Sequence, residues 1–493
     1  MSTLVIGSGI TGMAAALLLA RQGEETAILE AASVPAPLLR GFDRDGLHFD
    51  TGFHCGAGLR RGGLLRLWLH ALGIMDFLDE ASFFPIQEEF RFPPGDADAA
   101  TAAITRFPAQ FDELASTVTE QFGAQVSQNF LKLVRDMFAV LQHSPYTTPH
   151  RDIPLAFSWG QSPSLHDALA AARLPLQLSH MTQARCAFYG IEPHRASFHE
   201  FSFVGGLYFD SCHGISGGGK TLRQASLKAL ERAGVSVRCN ALVTRITHTC
   251  NRVSGVELAS GERIACTRCI FTGHPGQLRH LMDAGAMRPA FFRHIGEMRD
   301  SMQAFLLFGS TSKPFLRHKT LYIMPPISEE TREKLAPLES RHPLIYLCCD
   351  ETQQNGRFPV VAVSPTAHSF PEGDPQPRPD SYSLWKRKVS GRILEYIRAR
   401  VPELDDLAPL DAATPLSLRH WIAGSSGSLY GLAHDTETLA LFPSTRLEHF
   451  FLAGQHVLLP GILGGIISAA LAVGFATSHD AVLQGFRQCA NNE

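Results

Sequence analysis

The 493-residue chain carries no excess of either charge: 44 Lys and Arg against 47 Asp and Glu leave a formal −3. That excludes an electrostatic case for nucleic acid, which requires a basic face. A disulfide framework is absent as well, because the ten cysteines are scattered. Cys266 and Cys269 form a single CxxC on an expected strand, with no second pair and no histidine at ligand spacing, so it reads as chance placement rather than a zinc or redox site. A reducing cytoplasm is the expected compartment. The apolar N-terminus lacks a basic n-region and a cleavage signal, so it does not read as a signal peptide. Val457–Ser478 is uncharged and long enough to span a bilayer, but Pro460, Gly461, Gly464 and Gly465 interrupt its first third. A buried helix over Ile466–Ala476 is expected there instead. The sequence also lacks a fixed-period repeat, a nucleophilic triad, a paired-carboxylate motif and a metal box. What it does have is 45% apolar and 18% charged residues, enough for a large core, at a length that predicts two joined domains.

The most informative segment is Thr3–Glu30: an apolar strand, glycines at Gly7, Gly9 and Gly12, a helix, a second strand and an acid. Gly7 allows the tight turn, Gly9 lets backbone amides approach a pyrophosphate, and Gly12 lets the helix pack closely on the sheet. The helix N-terminus offers free N–H groups and a partial positive charge. Glu30 stands where a carboxylate accepts hydrogen bonds from an adenosine ribose. Ser8 and Thr11 within the loop and Ala31 after the acid join the candidate dinucleotide contacts.

Beyond this unit, Phe42–Asp43 and Leu47–Asp50 flank Asp45–Gly46 as a small hairpin. Gly62–Glu80 reads as helical, and residues 97–200 carry mostly helical pattern. A second α/β passage runs from Gly217, with a helix to Arg232 and strands at Val235–Cys239 and Ala241–Thr249. Longer strands between 300 and 365 predict an antiparallel sheet, followed by a helix over Trp385–Val401 and a Pro-rich surface loop at Phe370–Asp380. These pieces predict a discontinuous dinucleotide-binding domain from 1–85, 200–290 and 430–493, with a substrate domain from 86–199 and 291–429.

Five stretches carry a family resemblance: the glycine loop with Glu30; GLHFDTGFH at Gly46–His54; YGIEP at Tyr189–Pro193 followed by ISGGGKTL; ATPLSLRHWIAGSSGSLYG at Ala413–Gly431; and FLAGQHVLLPGILGG near the C-terminus. Their order and spacing resemble the FAD-dependent phytoene desaturase, carotenoid isomerase and retinol saturase group within the flavin amine oxidase-like superfamily. The resemblance implies a Rossmann-like FAD-binding domain of the glutathione reductase type, joined to an α+β substrate domain with an antiparallel sheet and helices. It implies that Gly7, Gly9 and Gly12 serve the pyrophosphate, Glu30 the ribose, and the Val243 backbone the adenine. Gly454 and Gln455 would lie by the pyrophosphate and ribitol, and the backbone at Ile462, Leu463 and Gly464 by the flavin N1/O2 edge. Two departures stand out. Ala36-Pro37-Leu38 occupies the place of the family's Gly-Gly-Arg phosphate brace, with Arg40 the candidate replacement. Gln455 stands where an acid is common.

The implied reaction is hydride exchange between FAD and a carbon–carbon bond of a lipophilic, polyene-like substrate; a flavin-dependent isomerase and an amine oxidase-type enzyme are the alternatives. Because the flavin carries the hydride, the protein need only position a bond and exclude water. One proton accompanies each hydride, and His54 is the catalytic candidate for moving it; alternatively His54 hydrogen-bonds backbone in a crowded turn. His199, His213 and His456 are further candidates. The Arg60–His70 stretch is either a basic surface for docking on anionic lipid or an ordinary core helix with a solvated side. Phe83, Phe84, Phe90, Phe92, Phe188, Phe198, Phe201 and Phe203 suit either an apolar channel or plain core.

Overall fold

Short apolar segments ending in glycine or an acid form one parallel sheet. In the computed structural model its strands run Ser236–Arg238, Thr26–Leu29, Thr3–Ile6, Arg268–Phe271 and Phe450–Leu452, all parallel. The described residues are 3–93, 104–149, 162–283, 285–327, 334–349, 353–368, 378–422, 426–438 and 440–491. The Pro-rich stretch up to residue 377 and residues 423–425 lie outside them.

Five strands drawn from distant parts of the chain end at one edge, and their carboxyl ends present Gly7, Glu30, Thr272 and Gly454 side by side. The Ile10–Arg21 helix packs on this sheet, with Gly12 as its closest approach: a Cβ there would meet the Gly7 carbonyl oxygen at 1.9 Å. The C-terminal apolar helix runs over Gly461–Ala476, five residues longer at its start than expected. Gly464 and Gly465 do not break it. They remove side-chain bulk where the helix crosses its neighbours, since a Cβ on Gly465 would sit 2.8 Å from Thr11 Oγ1. Close crossing at small residues therefore brings the N-termini of two helices together. No helix among the described residues is long and apolar enough to cross a membrane.

The second sheet has seven strands, in the order Ala408–Ala413, Gln303–Thr311, Phe358–Thr366, Ile345–Cys349, Lys319–Ile323, Gln87–Arg91 and Ile104–Phe107. It is antiparallel except where Lys319–Ile323 runs parallel to Gln87–Arg91. After the strands Gln87–Arg91 and Ile104–Phe107 the chain is largely helical as expected, with helices at Leu114–Phe122, Ala124–Leu141 and Leu165–Ala171. The Asp45–Gly46 hairpin forms, with φ of 51° and 74° at its two corner residues. Such a turn matches the right-handed twist of its strands.

The Arg60–His70 stretch resolves as core. Its helix spans Leu64–Ala71, with Leu65, Arg66, Leu67, Trp68 and Leu69 buried. Arg60 pairs with Asp210, and Arg66 and Arg61 both pair with Glu80. Arg60 and Arg61 stay exposed, while Arg66 is buried against Glu80. Trp68 stacks on Phe486 at 4.1 Å and donates its indole N–H to the Tyr146 carbonyl.

Candidate active site

The parallel sheet's carboxyl edge and the second sheet enclose one cavity of about 580 Å³. Ligands in open α/β sheets bind at that edge, where free strand ends and helix N-termini converge. Gly7, Gly9, Thr11, Glu30, Ala31, Val243, Gly454, Gln455, Ile462, Leu463, Gly464 and His54 all line the cavity. Two expected contacts work from behind the wall: Gly12 sets the helix–loop approach, and Ser8 is fully buried.

Glu30 is 8% exposed and locked in place. Its Oε2 accepts from the Ser8 N–H at 2.9 Å and from the Ser8 hydroxyl, and its Oε1 accepts from the Ala32 N–H at 2.8 Å. One lone pair on Oε1 stays available toward the cavity. The Ser8 hydroxyl in turn accepts from the Ala36 N–H at 2.8 Å. Ser8 thus ties the glycine loop, the acid and the Ala36 corner into one unit. Replacing it, Ser8→Ala, leaves the buried Ala36 N–H without a partner. The expected cost is about 2 kcal/mol, since an unsatisfied buried donor forfeits roughly 1–3 kcal/mol. A denaturant titration of the apoprotein checks this, and an unchanged midpoint would refute it.

The altered loop takes an unusual conformation. Ala36 is left-handed at φ 47°, ψ 59°, a region costly for a residue with a Cβ, and Pro37 begins a one-turn helix over Pro37–Arg40. Pro37 has no N–H to give. Arg40 does not replace the missing brace. Its Nε donates to the Gly41 carbonyl at 3.2 Å, it stands near Arg223, and it is not part of the cavity wall. The local reason is the helical turn, which carries residue 40 past the loop edge.

Among the described residues, no Arg or Lys lines the cavity. Positive potential comes instead from backbone. The Ile10–Arg21 helix starts at Gly9 and the Gly461–Ala476 helix at Pro460; neither has a side-chain cap or an acid in its first turn. Their N-terminal N–H groups stay open to an anion. A Cβ at Gly9 would meet nothing within 4 Å, so that face of the loop is free space, whereas the Gly454 N–H is already taken by the Ser468 hydroxyl at 2.9 Å. This is a cradle for an anionic linker flanked by an acid at one end and apolar slots at both.

The histidines sort clearly. His54 lines the cavity, and burial pushes its pKa down to about 4. His456 also lines it; its Nδ1 accepts from the Leu432 N–H, which places the proton on Nε2, and burial holds it well below the ordinary imidazole value. His199 and His213 lie outside the wall. The sequence reading missed His274, whose Nε2 faces Asp300 at 3.1 Å and whose Nδ1 accepts from the Gly276 N–H. Its position just past a strand end was the available signal.

These buried neutral imidazoles make stability acid-sensitive. Unfolded histidines titrate near pH 6.5, and folded His54, His434 and His456 titrate lower because burial disfavours their charge. The unfolded chain therefore binds more protons between about pH 6.5 and 4, so stability is full above that window and falls as pH drops through it. Asp300, held low by His274 despite burial, adds to the loss only below the carboxylate range. The denaturation midpoint is expected to drop from pH 7 to pH 4.5, and less steeply in His54→Gln. Equal midpoints at the two pH values would contradict this.

The other half of the cavity is apolar. Of the eight phenylalanines in question, Phe188 and Phe203 line it, beside Leu207, Met302, Leu306 and Trp421, while Phe90 and Phe201 are fully buried core. Tyr208, Tyr346 and Tyr430 bring hydroxyls to the same wall.

A profile of the family described as FAD dependent oxidoreductase matches residues 2–408. The chain belongs to that family. Among curated proteins, this FAD-dependent oxidoreductase is 22% identical to the all-trans-retinol 13,14-reductase of Macaca fascicularis over 524 residues, covering 96% of this chain and 84% of the relative. It is 24% identical to the hydroxyneurosporene desaturase of Rhodobacter capsulatus, with 92% of each chain covered. In fold, the flavoenzyme is similar to an oxidoreductase from Methanosarcina mazei, with a TM-score of 0.66 at 13% identity over 95% of this chain and 99% of that one. In the CxxC of the flavoenzyme, Cys266 and Cys269 are buried and free, with burial pushing the Cys266 thiol up to about 11 and Cys269 also well above the ordinary value. No group of three or more His, Cys, Asp or Glu side chains able to hold a metal occurs among the described residues.

Proposed function

We propose that this flavoenzyme saturates or desaturates a carbon–carbon bond of a lipophilic, polyene-like substrate. The carrying observation is the chemistry of the cavity wall. Among the described residues its only carboxylate is Glu30, at the dinucleotide end, while the opposite half is mainly aliphatic and aromatic. An amine substrate would bring a cation with nothing to neutralise it, and burying an unpaired charge is costly. A polyene chain requires only apolar contact. The names of the two curated relatives, a retinol reductase and a neurosporene-type desaturase, support the same reading.

FAD, when bound, supplies hydride exchange at its N5. In this reading the N–H groups following Gly9 hold the pyrophosphate, the remaining Oε1 lone pair of Glu30 takes a ribose hydroxyl, and Leu242 and Val243 flank the adenine. The N-terminus of the Gly461–Ala476 helix, at Ile462–Gly464, faces the flavin edge that becomes electron-rich, which a helix N-terminus stabilises. The surrounding apolar wall excludes water. The domain division read from the sequence, the FAD domain in three pieces and the substrate domain in two, belongs to the same proposal. A reducing, cytoplasmic setting is supported by the nine described cysteines, all free.

Anaerobically reduced protein mixed with all-trans-retinol or a carotenoid, and oxidised protein mixed anaerobically with a diamine, test this. Flavin reoxidation with saturation of a polyene double bond is the expected result. Reduction of the oxidised flavin by the diamine, with no reaction of the polyenes, would overturn the reading. A double-bond shift with no net flavin redox change would replace it with isomerisation.

A further inference from the structure

Saturating a carbon–carbon double bond requires a proton as well as a hydride, and His54 is poorly suited to give it. An imidazole with a pKa near 4 is neutral at physiological pH. Its conjugate acid is then almost absent, and as a base it is weak. The next residue along the chain is Cys55. It also lines the cavity and is only partly exposed.

One hydroxyl reaches the Cys55 sulfur directly: Tyr346 Oη lies 3.8 Å from Sγ, and either atom can be the donor. Cys212 and Tyr208 are the other polar neighbours that favour its thiolate. Strand pairing sets the arrangement: Ala57 lies opposite Cys212 and Gly56 opposite His213, so the register continued places Cys55 opposite Gly214, on the same face as Cys212 and diagonal to it. Tyr208, from the turn Gly206–Phe209, and Tyr346, from the second sheet, line the same cavity. Behind them, Tyr322 donates to Glu88 Oε1 at 2.9 Å, and Glu88 is paired with the fully buried Arg185. Burial raises the pKa of Tyr208, Tyr346 and Tyr430, and Cys212 rises too, chiefly through its bond to Cys55. The bonds from its neighbours lower that of Cys55, against burial and the nearby Glu88 charge. Of the four neighbours, Cys55 is the one whose surroundings favour its ionised form, with Tyr346 Oη in reach of the sulfur.

We propose that Cys55 is the proton-transferring residue of this site, a role that rests on the carbon–carbon reading above. In the saturating direction the S–H bond breaks as a C–H bond forms on the carbon next to the one that receives hydride from the reduced cofactor. The S–H electron pair stays on sulfur as thiolate, held by Tyr346, Tyr208 and Cys212, and water restores the proton afterwards. In the desaturating direction the thiolate takes the proton and the oxidised cofactor takes the hydride. Tyr346 and Tyr208 are positioning residues, acting through the sulfur.

Two measurements on the holoenzyme test this. First, peptide-resolved alkylation by iodoacetamide across pH 6–10 reads the Cys55 thiolate directly and needs no substrate. Its half-maximal pH is expected below the roughly 8.5 of an ordinary cysteine, and Tyr346→Phe should raise it by half a unit or more. A profile that Tyr346→Phe leaves unmoved overturns the proposal. Second, reduced wild type and Cys55→Ser are mixed with all-trans-retinol in D2O. Cys55→Ser is expected to lose at least about 100-fold in the rate of saturation, the scale of proton-transfer catalysis, with little change in KM and with wild-type FAD content. A rate within threefold of wild type overturns the Cys55 role while leaving the carbon–carbon reading intact. Failure of wild type itself to pass electrons to any polyene overturns the reading and takes this proposal with it.

Discussion

Gly12→Ala purifies as a colourless protein with at least about 100-fold weaker affinity for FAD. The added Cβ would sit 1.9 Å from the Gly7 carbonyl oxygen and 3.0 Å from its carbon, which are backbone atoms rather than a side chain able to swing aside. The helix must back away from the loop, or the loop must open. Either movement carries the N-terminal N–H groups off the pyrophosphate. Each hydrogen bond to a charged group is worth roughly 1.5–3 kcal/mol, so losing two of them gives that fold-change at about 1.4 kcal/mol per decade. Gly9→Ala is the control. Its Cβ meets nothing within 4 Å and its φ of −59° suits any residue, so the fold is untouched while the methyl intrudes on ligand space. The apoprotein denaturation midpoint is therefore expected to fall in Gly12→Ala and hold in Gly9→Ala, with FAD binding, titrated by flavin fluorescence, weakened in both. Wild-type flavin content in purified Gly12→Ala would refute the argument.

The second large effect lies under the substrate cavity. Glu88→Ala is expected to cost about 3–5 kcal/mol, the range for removing one partner of a buried ion pair. Arg185 has no solvent exposure, and its Nε and Nη2 both bond Glu88; its remaining hydrogen bond, from Nη1, goes to the Gly205 carbonyl at 3.1 Å. It also lies 3.8 Å over the Phe209 ring, so it cannot move out to water without breaking that stack. Tyr322 loses its acceptor in the same variant. Removing both charges, as Glu88→Met with Arg185→Met, should recover most of the loss, because an apolar replacement of a whole buried pair is often neutral. Urea titration of the two single variants and the double one closes the cycle. A double variant as unstable as the sum of its singles would show that the pair is not the unit proposed.

Much of the dinucleotide half was legible in the chain because its parts are local. Gly7, Gly9 and Gly12 fall within one turn and Glu30 follows at the end of the next strand, so φ freedom, close packing and a strand-end acid can be read without a third dimension. The Asp45–Gly46 hairpin and the helix after Gly217 were readable for the same reason. The helix of Gly461–Ala476 was misjudged at its start because glycine's propensity cost is a local average. Its real use is contact with Thr11, some 450 residues earlier in the chain. The pairing of Arg60 could not be read from the chain, because its carboxylate partner, Asp210, lies 150 residues further on.

By itself, the sequence determined a Rossmann-type FAD site, its glycine loop and acid, and the break in the usual phosphate brace at Ala36-Pro37-Leu38. Only the tertiary structure showed how that loop is held: a Ser8 hydroxyl shared by Glu30 and Ala36 ties it together, Arg40 stands off the cavity wall, and two helix ends there carry no side-chain cap. It alone separated Phe188 and Phe203 on the cavity wall from Phe90 and Phe201 in the core, and set Cys55 among Cys212, Tyr208 and Tyr346. The reason is physical. Backbone conformation is set largely by neighbours along the chain, whereas burial, charge pairing and acidity are set by neighbours in space, and here those come from strands and loops hundreds of residues apart.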